Sequence, residues 1–158
     1  MMSSVLNLSL ITVLGILYIF TYSQLVGNYL ERIAKPKNMA LLILYFSAIL
    51  SAGINLYHIS EIVENAFIFF MDKNEVIKAV LYAFGFVSGM WFFSFAFFMV
   101  SFILVSMLTP RDEKSELAMG SIEMAGLHGT ILIVLSFVIA PALISIAAQF
   151  IPYPEMPF

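Results

Sequence analysis

Residues 76–108 read VIKAVLYAFGFVSGMWFFSFAFFMVSFILVSML, an unbroken apolar run whose single charged residue, Lys78, stands at its start. A helix rising 1.5 Å per residue needs roughly 20 mostly apolar residues to cross a hydrocarbon core of about 30 Å. This run exceeds that length, and so do three others: Val5 to Tyr29, Met39 to Met71 and Leu117 to Ile151. Only three short charged clusters separate them. The pattern predicts an all-α polytopic membrane protein, a single four-transmembrane-helix bundle over residues 1–158.

Composition agrees. The chain is 62% hydrophobic and 11% charged, whereas soluble domains hold about 45–50% apolar and 25% charged residues. A net charge of -3, scattered along the chain, gives no basis for binding nucleic acid. The chain has no cysteine, which removes disulfides, thiolate metal ligands and thiol nucleophiles together. Met1 to Leu10 carries no Lys or Arg and no small-residue cleavage site follows the first run, so Val5 to Tyr29 is expected to be a retained span and not a secretory signal.

Basic residues set the expected orientation. Arg32, Lys35 and Lys37 lie between the first two spans, Arg111 and Lys114 between the last two, and only Lys73 and Lys78 lie on the other side. The positive-inside bias places the richer loops in the cytoplasm and both termini outside it, in the periplasm if the source is bacterial. Local signals punctuate the turns. Asp72-Lys73-Asn74-Glu75 has capping-box spacing. Pro110, in Thr109-Pro110-Arg111-Asp112, is expected at a first helical position, and Pro36 with Asn38 marks the start of span two.

The chain also reads as a duplication with halves 1–71 and 76–151. Displacement by about 78 positions lays Lys37-Asn38-Met39-Ala40 over Ser115-Glu116-Leu117-Ala118, giving tandem two-helix repeats of parallel topology. Leu108-Thr109-Pro110-Arg111-Asp112-Glu113, Glu116-Leu117, Met124-Ala125-Gly126 and Asn38-Met39-Ala40 together resemble the YjfL-type bacterial inner-membrane proteins. The resemblance covers nearly the whole chain. It implies two tandem two-helix repeats and an inner-membrane location, and supplies no catalytic residue.

In a bilayer the hydrophobic effect no longer drives helices together, so small residues mark faces where backbones approach closely. Gly85 and Gly89 form a GxxxG pair. Ser121, Ala125 and Gly129 form a stripe on span four, and Ser47, Ala48, Ser51 and Ala52 do so on span two. Such faces pack either within the bundle or along a homo-oligomeric seam. The phenylalanines of span three are spread around it, as expected of a helix partly facing lipid.

Ionisable groups inside spans are costly and are the default functional candidates. Glu123 is expected about six residues, or ~9 Å, inside span four. At that depth it either hydrogen-bonds Tyr45 or forms a proton or cation step in a conduction path, for which His128 of the same span is a further candidate. Asn55, His58 and Glu61 share a face of span two, with Glu64 trailing. Span two is long enough that its far end must tilt, break or project, which leaves Glu61 and Glu64 solvated. His58 with these carboxylates is chemically competent for an outer metal or proton site but lacks a matched ligand set.

Two histidines on different spans also raise bis-histidine haem ligation. Counted from the same side, His58 is about 19 and His128 about 11 residues deep, a difference of ~12 Å that argues against one shared iron. No cofactor is expected. The chain has no phosphate loop, His-Glu-x-x-His element or Ser-His-Asp set. The sequence therefore predicts a non-enzymatic integral membrane protein, either a homo-oligomeric pore conducting ions or protons or a structural subunit of a membrane complex. Its partners would be the bilayer and copies of itself or other membrane subunits. The alternative is a haem b or quinone-binding anchor for electron transfer.

Overall fold

The computed structural model describes residues 2–33 and 38–150, with side chains from residue 9 onward. Lys35, Pro36, Lys37 and Ile151 lie outside them. The elements are α1 (Met2–Glu31), α2 (Met39–Asp72), α3 (Val76–Leu108), α4 (Glu113–Ala118) and α5 (Ile122–Ala148). Among the described residues the structure is 89% helical and has no strands, and α1, α2, α3 and α5 are each long and apolar enough to cross a membrane. It is an all-α, four-helix membrane bundle.

α2 is the hub. It packs against α5 most extensively, then α3 and α1, while α1 and α5 do not meet among the described residues. Sequential neighbours are antiparallel. Gly15 faces Leu56 and Gly27 faces Tyr45 across α1 and α2, and His128 reaches Ser101 across α5 and α3. α2 and α5 run parallel, joined at Ser47 to Gly129 and at Ser51 to Ser136. Aromatic packing fills the α1–α3 side: Tyr29 meets Phe98 and Phe102 edge-on with centroids 5.5 and 5.6 Å apart, each such pair adding about 0.5–1.5 kcal/mol beyond burial.

α2 spans 34 residues without a break, about 50 Å against a core of ~30 Å. Its far end therefore tilts or projects, and Glu61 and Glu64 are exposed on it. At that end Phe67, Phe70 and Ala79 form a second small core with Leu10 and Tyr82, and Lys73 sits 4.1 Å over the Phe69 ring.

The turn between α2 and α3 corrects the capping-box reading. Asp72 is the last residue of α2, and Glu75 caps α3 without a side-chain bond to the backbone. Its carboxylate pairs instead with Lys78 at 2.8 Å. The stop signal is Asn74 in the left-handed region at φ 58. Its N–H donates to Met71 O and that of Glu75 to Phe70 O, the double bond pattern that satisfies the last carbonyls of a helix.

The approach to the fourth span differs more. Pro110 lies in a bend before α4, not at a first helical position. The run Leu117 to Ile151 is interrupted by the same stop motif, with Gly120 at φ 91, the Gly120 N–H on Leu117 O and the Ser121 N–H on Glu116 O. Ser121 then opens α5, its side chain accepting from the Met124 N–H. Asn38 ties the start of α2 to the end of α4. Its Oδ1 accepts from Ala40 and Leu41 N–H at 2.9 and 3.4 Å, while Nδ2 donates to Leu117 O at 2.7 Å and Ala118 O at 3.1 Å.

Beside this junction Glu113 has a buried Oε2 with no hydrogen-bond partner. Burial raises its pKa above the usual carboxylate range; Lys114 opposes the shift and Asp112 adds to it.

Candidate functional site: a buried polar row

In an apolar bundle the informative residues are polar ones removed from solvent. Ser51 and Asn55 of α2, Ser94 and Ser101 of α3, and His128 and Ser136 of α5 are all fully buried. Each faces inward because the apolar helices turn their Leu, Ile and Phe side chains both to the core and to lipid, leaving hydroxyls, amide and imidazole to find partners across helices.

They form three groups along the bundle. Nearest the α4 side, the His128 Nδ1 lies 3.4 Å from Ser101 Oγ and its ring packs on Phe102 at 4.3 Å; its Nε2 is buried without a partner. Further along, Ser51 and Ser136 share a hydrogen bond of 2.6 Å in which either hydroxyl can donate. Beyond it, Asn55 Nδ2 donates to Ser94 Oγ at 2.8 Å, and Ser94 Oγ also bonds the Tyr18 hydroxyl. The Tyr22 hydroxyl donates to the Ser94 carbonyl at 3.3 Å. Asn55 Oδ1 is left without a partner.

The other sequence candidates fall into place around this row. Glu123 is not deep in its span. Because α5 starts at Ile122, Glu123 belongs to its first turn and is exposed. No hydrogen bond joins it to Tyr45 among the described residues; the Tyr45 ring packs beside Gly27 and Phe46. His58 is half-buried with Nε2 unpartnered, one turn before the exposed Glu61. Among the described residues no three His, Cys, Asp or Glu side chains gather as a metal site. The later start of α5 also widens the separation in depth of His58 and His128 to about 20 Å, too far to flank one iron.

The packing candidates divide. A Cβ on Gly129 would collide with Ser47 Oγ and lie 2.9 Å from Ser47 Cβ, and Ala125 is fully buried, so this face is the α2–α5 seam. Ser121 is the helix cap. Gly85 and Gly89 meet nothing within 4 Å of an added Cβ. They face an open groove of about 290 Å³ shared with Leu143 and Ala147 of α5 and do not pack within the bundle.

Sequence reasoning did not single out Tyr18, Tyr22, Ser94 or Ser101. Their signal was present as hydroxyl groups within apolar spans, which need partners in lipid. No family model, curated protein or solved structure matches this chain.

Proposed function

We propose that this non-enzymatic membrane protein moves protons along the buried row, with Glu123 at the cytoplasmic mouth and Glu61 at the other. The observation that carries the reading is His128 of α5, fully buried with one ring nitrogen on Ser101 and the other unpartnered. An imidazole can take up a proton on one ring nitrogen and release one from the other. Beyond it, the Ser51–Ser136 and Tyr18–Ser94 hydroxyl pairs can each reverse donor and acceptor, which a relay requires. Along the bundle axis Glu123, His128, Ser51, Asn55, His58 and Glu61 succeed one another at rises of about 5–10 Å, and the relay needs bridging waters between them.

The test is proton flux into proteoliposomes carrying an internal pH dye, driven by a potassium diffusion potential. Wild-type protein is expected to exceed empty liposomes, and His128→Asn, which keeps a polar group of similar size, to lower the flux at least ten-fold with helicity and monodispersity unchanged. Glu123→Gln is expected to slow proton uptake by a smaller factor. Wild-type flux equal to that of empty liposomes ends the reading.

A second reading rests on the mutual satisfaction of Ser51 and Ser136. On it, the row holds the helices of a structural subunit together, each interhelical bond contributing about 0.6 kcal/mol, and His128→Asn changes stability with no flux to lose.

A further inference from the structure

We infer that the groove between α1 and α3 seats one acyl chain of a bilayer glycerolipid, whose ester carbonyl accepts a hydrogen bond from Ser88. The groove holds about 400 Å³ and is lined by Leu14, Leu17, Phe84, Val87, Ser88 and Trp91. That size and this apolar, aromatic lining with a few polar groups are the usual make-up of a small-ligand site.

Ser88 is the exception among the serines of its helix. Ser94, Ser101 and Ser106 are each hydrogen-bonded, whereas Ser88 has no partner among the described residues. A free hydroxyl facing hydrocarbon is unfavourable, and an acceptor within the groove removes that cost. Ser88 lies about 20 residues from the Leu108 end of α3, so it stands ~30 Å along the helix, at the far limit of the hydrocarbon core. The groove begins one turn outside Ser88, at Phe84, and runs inward past Ser88 and Trp91 to Tyr18 and Thr21. An occupant that is apolar along its length and carries an oxygen acceptor at the interfacial end is an esterified acyl chain.

The groove walls disfavour a helix from a second copy. Leu17, Phe84 and Phe92 stand 52%, 60% and 67% exposed along its edges, where close helix packing requires small residues. A flexible chain fits between bulky side chains that would hold two backbones apart. The inner end of the groove reaches Tyr18, whose hydroxyl bonds Ser94, so the seated chain packs against a member of the polar row. The lipid site does not rest on proton movement, and its test reads no flux.

Trp91 is the only tryptophan in the chain and lines the groove, which makes its fluorescence a direct reporter. Purified protein in detergent is titrated with phosphatidylglycerol brominated along its acyl chains. The expected result is saturable quenching near one lipid per chain. Ser88→Ala should weaken the apparent affinity about 3–10-fold, as loss of one hydrogen bond. Leu14→Phe should weaken it by filling the groove, and Phe137→Leu, on the exposed face of α5, should leave it unchanged. Circular dichroism confirms the fold of each variant. Quenching that rises linearly without saturation, or a saturable phase that neither Ser88→Ala nor Leu14→Phe weakens, overturns the inference.

Discussion

Gly129 lies so close to Ser47 that the missing Cβ is what allows α5 to approach α2. An added Cβ would stand 2.9 Å from that of Ser47 and collide with its hydroxyl, which itself donates to Ile43 O at 2.9 Å. In a bilayer such backbone proximity substitutes for the hydrophobic drive of soluble cores.

Gly129→Ala should therefore destabilise the bundle by about 1–3 kcal/mol through overpacking, and Ser47→Gly in the same chain should restore part of the loss. Gly89→Leu, on the open groove, should leave monomer stability within about 0.5 kcal/mol of wild type. Unfolding in mixed detergent, read by circular dichroism, decides both. Equal losses from the two substitutions would contradict the assignment of the seam.

Asn38 uses both halves of its amide. Asn38→Ala should cost about 1–2 kcal/mol, the typical loss of a cap, together with looser docking of α4. Asn38→Asp keeps the acceptor but presents carboxylate oxygens to the carbonyls of Leu117 and Ala118. It should also fall below wild type, although an acidic cap alone favours a helix start. Thermal melts of the two variants in one detergent settle the role of the donor; Asn38→Asp melting at the wild-type temperature would exclude it.

Glu113 gives a pH dependence of defined sign. Its folded pKa is raised chiefly by burial, so the protonated form favours the fold. That contribution is present below the ordinary carboxylate pKa and is lost as pH rises through the raised one. The difference in melting temperature between wild type and Glu113→Gln should therefore shift against wild type as pH climbs from 4 to 7. A difference independent of pH would show that Glu113 is solvated in the fold.

Topology can be read in a chain without native cysteine. Lys114→Cys should resist impermeant maleimide applied to intact cells, and Lys73→Cys should react, because the basic loops are expected in the cytoplasm. Both side chains are exposed at their turns, so reactivity reports sidedness. The reverse labelling pattern would invert the bundle.

Hydropathy made the four spans legible, because a helix in lipid must be apolar over its whole crossing. It did not reveal the break before α5. Met119, Gly120 and Ser121 interrupt the apolar run too briefly to register, although Gly followed by Ser is the local signature of one helix stopping and another starting. That omission placed Glu123 a full turn too deep. Azimuth was also hidden. Gly85-x-x-x-Gly89 and Ala125-x-x-x-Gly129 are the same pattern in sequence, and only the facing residue, open space in one and Ser47 in the other, separates them. The Asn55–Ser94 bond crosses helices, so no spacing within one helix announces it.

The largest interface, α2 with α5, joins the second helix to the last. During synthesis α1, α2 and α3 reach the bilayer first, while Ser51 has no Ser136 to meet and Ser47 has no Gly129 against it. A nascent chain stalled after α3 is then an unfinished bundle with its small-residue seam open to any neighbouring helix in the membrane. Arrival of α5 closes that seam, and membrane quality control has a natural moment at which to distinguish complete chains from incomplete ones.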